Sequence, residues 1–235
     1  MPESTFIPKI EAACRKKEAL FDKSKAKYAV RSIFAGAFLT FSTGAGAIAA
    51  DLTNKIVPGT GRFLFPFIFA WGLAYIVFLN AELMTSNMMF LTAGTFLKKI
   101  DWKKALMILL YCTFFNLIGA LIAGWLFANS AAYAGLNKDS FISGVVQMKL
   151  ARSNELILLE GVLANIFVNI AILSFVLVKD STAKLFLVIS AIYMFVFLTN
   201  EHLAANFASF AIVNSAQQQR KCKILVLEIS YATGA

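Results

Sequence analysis

Glu82 and Glu201 each sit within a largely apolar stretch, and each is followed five residues later by an asparagine, Asn87 and Asn206. Carboxylates, amides and hydroxyls are expensive in hydrocarbon, so at that depth they face protein or water and mark a site. The first cluster, Asn80-Ala81-Glu82-Leu83-Met84-Thr85-Ser86-Asn87, lies between the apolar run Phe63–Leu79 and the shorter run Met88–Leu97. The second, Asn200-Glu201-His202-Leu203-Ala204-Ala205-Asn206, follows Leu185–Leu198 and precedes Phe207–Val213. Paired interruptions at corresponding positions of two halves point to a transporter or channel with its site near the bilayer midplane.

A helix broken at mid-membrane presents a new N-terminus, whose free N–H groups and dipole favour an anion. On this reading Thr85 or Ser86 caps a half-helix Met88–Leu97, and Asn200 or Glu201 caps Leu203–Val213. His202, the only histidine, lies inside the second interruption, where its protonation could couple to the passage of an anion. Its plainer alternative is a satisfied structural hydrogen bonder. Lys149 could concentrate anions at a mouth, although taken alone it reads as a loop lysine reaching the interface.

The elements that must position these groups are membrane spans. The chain is 59% hydrophobic and 15% charged with mean hydropathy +0.72, against about 45–50% apolar and about 25% charged in soluble domains. Runs such as Leu106–Phe127 and Leu156–Val178 are long enough to cross about 30 Å of hydrocarbon. The net charge of +9 resides in loops and the N-terminal arm, which argues against nucleic-acid binding. Cys14, Cys112 and Cys222 are isolated, so neither a disulfide framework nor a metal site is indicated, and no cofactor is expected. Residues 1–32 are polar and do not read as a signal peptide.

That segment, 1–32, carries eight basic residues and predicts a surface helix over Ile10–Tyr28 on the cytoplasmic face. Residues 33–235 form the pore domain, in halves of about 33–130 and 154–235. The first span, Ile33–Ala50, holds Gly36, Gly44 and Gly46, small residues that allow close helix approach. An outside loop, Asp51–Arg62, leads to the first broken span, and the lysines around Trp102 mark a return inside. A third span covers Ala105–Phe127, a second outside loop Asn129–Ser153, and a fourth span Asn154–Val178 bears Glu155, Glu160, Asn165 and Asn169. The second broken span begins near Ala183, and Asn214–Lys223 reads as a basic loop. Glu82 and Glu201 are 119 residues apart, which puts a counterpart of the third span near Lys223. A crossing needs about 20 residues, so the last helix is expected to be short, truncated or replaced.

These motifs resemble the formate–nitrite transporter family. Ala81-Glu82-Leu83-Met84-Thr85-Ser86 matches its Gly/Ala-Asp/Glu-Leu-Phe-Thr-Ser/Gly signature with Met84 for the usual Phe, and Gly161 to Ala171 matches a second signature, with Asn169 where Cys is usual. Glu201-His202-Leu203-Ala204-Ala205-Asn206 looks like its Glu-His-Ser-Ile-Ala-Asn, and Lys149 stands the family's usual sixteen residues before Asn165. The resemblance implies an aquaporin-like, all-α protomer of three plus three spans in an inverted repeat, with broken second and fifth helices, assembled as a homopentamer with one pore per protomer. It implies passage of small monovalent anions such as formate, nitrite or hydrosulfide, with protons, across a bacterial-type inner membrane, and an N-terminus in the cytoplasm. Thr85, His202 and Lys149 inherit the polar contacts of the pore, with Leu83, Asn165, Glu201 and Asn206 around them. The Gly-Asn pair of the family's sixth span is not found in Ile224–Ala235.

The alternatives are a membrane-embedded enzyme or a structural membrane protein. The first needs a nucleophile–base pair or clustered metal ligands, which one histidine and dispersed cysteines do not provide. The second has no need of two polar breaks.

Overall fold

Apolar stretches in a bilayer become helices because the backbone finds no other hydrogen-bond partner there, and the regular segments of the computed structural model are all helical. It describes residues 6–133 and 136–233, with side chains to residue 219. In chain order the helices are α1 (Phe6–Lys23), α2 (Lys25–Ile56), α3 (Gly61–Phe78), α4 (Met84–Phe96), α5 (Trp102–Ala128), α6 (Phe141–Leu150), α7 (Asn154–Leu177), α8 (Ser181–Phe197) and α9 (Leu203–Thr233). By length and composition α2, α3, α5 and α7 are able to cross a membrane.

α2 is the centre of the bundle, packed against α3 and α5 and also meeting α9. Of the most apolar stretch of α2, 56% is buried, against 33% for α5 and 22% for α7, so the last two lie at the periphery. The close helix approach expected of the Gly-rich first span agrees with this. Where α2 crosses α5 the two backbones touch: a Cβ on Gly36 would stand 2.0 Å from Asn116 O, and one on Gly119 would stand 2.0 Å from Ile33 O. Only glycine permits that approach.

Several boundaries differ from the sequence reading. The helix boundary near the N-terminus falls at Ser24, whose side chain caps α2 by accepting from Lys27 N–H, so Tyr28 and Arg31 belong to α2 and not to the arm. α2 also takes in the first half of the expected loop Asp51–Arg62, because Thr53 bonds back to Ala49 O and Asn54 reaches the first N–H of α3, at Gly61. The basic segment Asn214–Lys223 is helical. α9 passes through it as one helix of 31 residues, with no Gly or Pro to stop it, so the residues expected to form a separate last helix continue α9. The side chains of Ile224–Ala235 lie outside the described residues.

α1 is docked more firmly than a surface arm. Ile10, Cys14 and Phe21 are buried, and Lys9 Nζ donates to Val176 O at 3.1 Å and Leu177 O at 3.3 Å, the orphan carbonyls at the end of α7. Glu11 joins Lys99 and Arg15, whose hydrogen bonds, more than their charges, hold its carboxyl below the usual range.

Gly36→Val is expected to separate α2 from α5 and cost ~3 kcal/mol, since overpacking here meets backbone. The check is thermal unfolding in detergent, with Gly144→Val as control, because a Cβ there meets nothing within 4 Å.

Candidate functional site

The two helix breaks are built alike. α3 ends at Leu79, Asn80 turns left-handed at φ 56°, and Ala81 N–H reaches back to Ile76 O at 2.9 Å. α8 ends at Leu198, Thr199 takes φ 60°, and Asn200 N–H reaches Phe195 O at 3.3 Å. Both are Schellman closures, which satisfy the last carbonyls of a helix that stops in apolar surroundings. Asn tolerates this conformation, whereas a β-branched Thr is strained by about 1–3 kcal/mol. Arg152 Nη2 donates to Thr199 Oγ1 at 3.2 Å and holds the turn.

The helices that follow start differently from expectation. α4 begins at Met84 behind Leu83 with no side-chain cap, so Thr85 and Ser86 lie inside its first turn, and Ser86 Oγ donates back to Leu83 O. The cap comes from across the bundle: Asn116 Oδ1 on α5 accepts from Met84 N–H at 2.9 Å. α9 begins at Leu203, and its cap is His202, not Asn200 or Glu201: Nδ1 accepts from Ala205 N–H at 3.2 Å.

Asn116 is fully buried and laces the first break together, donating through Nδ2 to Ser32 O at 2.7 Å and to Glu82 O at 2.9 Å. Glu82 N–H donates to Arg31 O, and Cys112 Sγ donates to Glu82 O. Asn87 donates to the Tyr28 hydroxyl at 2.7 Å. The Glu82 carboxylate is met by Lys17 Nζ of α1 at 2.7 Å, with side chains 7% and 12% exposed, and Lys16 Nζ reaches Asn80 Oδ1.

The second break uses ions more heavily. Glu201 Oε2 accepts from Lys149 Nζ at 3.2 Å and from Asn206 Nδ2 at 2.7 Å, while its Oε1 accepts from Arg152 Nη1 at 2.5 Å. Arg152 Nη1 also pairs with Glu160. Two cations thus face two carboxylates, and Lys149 is a paired charge rather than a free one. The unpaired cation near this break is Arg62, exposed over the Phe197 ring, with no carboxylate partner among the described residues.

Between the breaks, His202 Nε2 lies 3.1 Å from Thr85 Oγ1, with the residues 5% and 2% exposed. Because Nδ1 accepts from a backbone N–H, the network assigns the ring proton to Nε2, which donates to Thr85. A cavity of about 70 Å³ lies on one side, lined by Asn200, Ala205, Lys149 and the first turns of α3. Another of about 140 Å³ lies toward the other end of α3, lined by Lys16, Lys17, Glu82 and Ser86. Asn200 and Ala205 lie close to His202 in sequence and Ser86 follows Thr85, so the pair lies between the segments that line the two.

Of the residues singled out from the sequence, Thr85 meets His202, and Glu201 meets Lys149 and Asn206. Leu83 is 1% exposed beside the pair. Asn165 joins neither cluster; its amide donates to Gly161 O of its own helix. The sequence reading missed Asn116, Lys17, Arg152 and Arg62. Asn116 carried a signal, being a lone amide in an apolar run, while the cations were hidden among other basic residues.

A family model described as "Formate/nitrite transporter" matches residues 4–231. The chain belongs to the formate/nitrite transporter family. It is 28% identical over 214 residues to the uncharacterized transporter YwcJ of Bacillus subtilis, covering 89% of this chain and 82% of that protein. It is 25% identical over 210 residues to the formate-nitrite transporter of Plasmodium falciparum, covering 82% and 68%. A solved structure of an FNT family ion channel shares the fold, with TM-score 0.78 at 24% identity over 88% of this chain and 82% of that one. Membership makes this a multi-pass membrane transporter of small anions and not an enzyme.

Lys17→Met leaves Glu82 buried without its cation and is expected to cost about 3–5 kcal/mol, whereas Lys149→Met, which leaves Arg152 and Asn206 on Glu201, costs about 1 kcal/mol. Thermal unfolding in detergent reads both, and adding Glu82→Gln to Lys17→Met should recover most of the loss.

Proposed function

We propose that each protomer passes a small monovalent anion, such as formate, nitrite or hydrosulfide, together with a proton, from one cavity to the other past Thr85 and His202. The observation that carries this reading is the His202–Thr85 pair buried between two cavities, one with Arg62 and Lys149 at its wall and the other with Lys16 and Lys17. Moving a bare charge through that apolar wall costs at least several kcal/mol, and travel as the neutral acid avoids it. Arg62 attracts the anion at one mouth, where Lys149 is paired with Glu201, and Lys16 and Lys17 attract it at the other. The helix-capping role of His202 favours a proton that arrives on the solute: both ring nitrogens are already engaged, and a second ring proton would displace the Ala205 N–H bond. His202 and Thr85 then act as a fixed polar step for the neutral acid.

The α1 side, rich in lysine, is the cytoplasmic side by the positive-inside preference, in a bacterial-type plasma membrane. The spacing of 119 residues between Asn80 and Thr199, and between Glu82 and Glu201, supports an inverted repeat in which α9 replaces two helices. Exposed apolar side chains along α5 and α7, among them Leu110, Phe114, Trp125, Leu158, Leu159 and Val162, suit lipid or neighbouring protomers of a homopentamer.

His202→Asn keeps a residue able to cap α9 and to donate to Thr85 but unable to titrate. Formate flux into proteoliposomes is expected to keep its pH profile between about pH 5 and pH 8 in this variant. A flattened or displaced profile would assign the coupled proton to His202.

A further inference from the structure

Asn200 is 6% exposed and lines the cavity on the Lys149 side, yet its Nδ2 has no hydrogen-bond partner. A buried amide donor without an acceptor is costly and calls for a reason. Helix termination is not the reason. Ala81, at the equivalent place in the first break, closes the same Schellman turn with a methyl group, and Asn200 contributes to its own turn only through its backbone N–H. The cavity around it is walled largely by apolar side chains such as Phe65, Phe69, Phe141 and Phe195, and the one nearby hydroxyl, Ser209, donates to Ala205 O and makes no bond to the amide. Beside the Arg62 guanidinium, two further donors share the lining. Lys149 has one ammonium N–H committed to Glu201, leaving others for a solute, and Thr199 Oγ1 accepts from Arg152 while its own proton is uncommitted.

We infer that Asn200 is a specificity-determining residue of the pore: its amide, with Lys149 and Thr199, docks small oxyanions, carboxylates or nitrite, in this cavity and selects them over hydrosulfide. The inference rests on the anion-transport reading above and narrows its substrate class. An oxyanion carries two strong acceptor oxygens about 2.2 Å apart and can take the amide N–H on one while meeting the ammonium or hydroxyl on the other. Hydrosulfide offers a single sulfur, a weak acceptor, and gains little from the amide. A site that holds a desolvated donor discriminates against solutes that leave it unpaired.

The test uses the whole chain in proteoliposomes, with concentration-dependent uptake of formate and of hydrosulfide measured in parallel for the unmodified protein, Asn200→Leu and Asn200→Asp. For Asn200→Leu the KM for formate should rise about tenfold with the maximal rate nearly unchanged, while hydrosulfide uptake stays the same. Asn200→Leu should also unfold no earlier than the unmodified protein, since it removes an unsatisfied group. Asn200→Asp, which presents only acceptor oxygens, should lose formate affinity further. An unchanged KM for formate in Asn200→Leu, an equal loss for both anions, or formate affinity kept in Asn200→Asp would each overturn the assignment. If the unmodified protein carries neither anion, the failure belongs to the transport reading and not to Asn200.

Discussion

Two carboxylates buried at helix breaks inside an apolar layer must be matched by cations brought from elsewhere in the chain. Glu82 and Glu201 follow the two Schellman turns directly, and neither break supplies its own positive charge. The first draws Lys17 from α1, and the second draws Lys149 and Arg152 from the end of α6 and the turn after it. This demand explains why α1 and α6, too short or too polar to be spans, are packed into the protein. Each carries a cation to a place where an unpaired carboxylate would be strongly destabilising.

The backbone at the breaks makes a second demand. An interrupted helix leaves N–H and C=O groups with no water to satisfy them, and irregular backbone at membrane depth is tolerated only where protein replaces the water. Asn116 does this for the first break, and its reach depends on the contact between α2 and α5 through Gly36 and Gly119. At the second break the cap is the histidine that also touches Thr85. The same ring therefore closes α9 and reaches Thr85 across the bundle, and on the proposed transport path this ties the integrity of α9 to passage.

The two mouths are electrostatically unequal. On the α6 side, Lys149 and Arg152 face Glu201 and Glu160, and the free charge is Arg62 at the rim. On the α1 side, Lys16 and Lys17 face Glu82 alone. On the proposed path an anion leaving solvent would meet an exposed guanidinium on one side and an incompletely neutralised lysine pair on the other.

The sequence by itself determined the membrane class, the two breaks, the family and the residue types of the site. These depend on hydropathy runs and on polar groups too costly to place in hydrocarbon without purpose, and both are local in the chain. That Thr85 and His202, 117 residues apart, belong to one site was implied only through the family, and their contact came from the structure. Tertiary structure alone decided which cation meets which carboxylate. The basic residues of residues 1–32 look alike in sequence, and only the docking of α1 across the end of α7 selects Lys17 for Glu82. It also decided the caps, because Asn116 lies 32 residues from the N–H it satisfies and displaces the local candidates Thr85 and Ser86. Ion pairs and caps between distant segments follow from how helices pack in three dimensions, and side-chain identity along one segment does not encode that geometry.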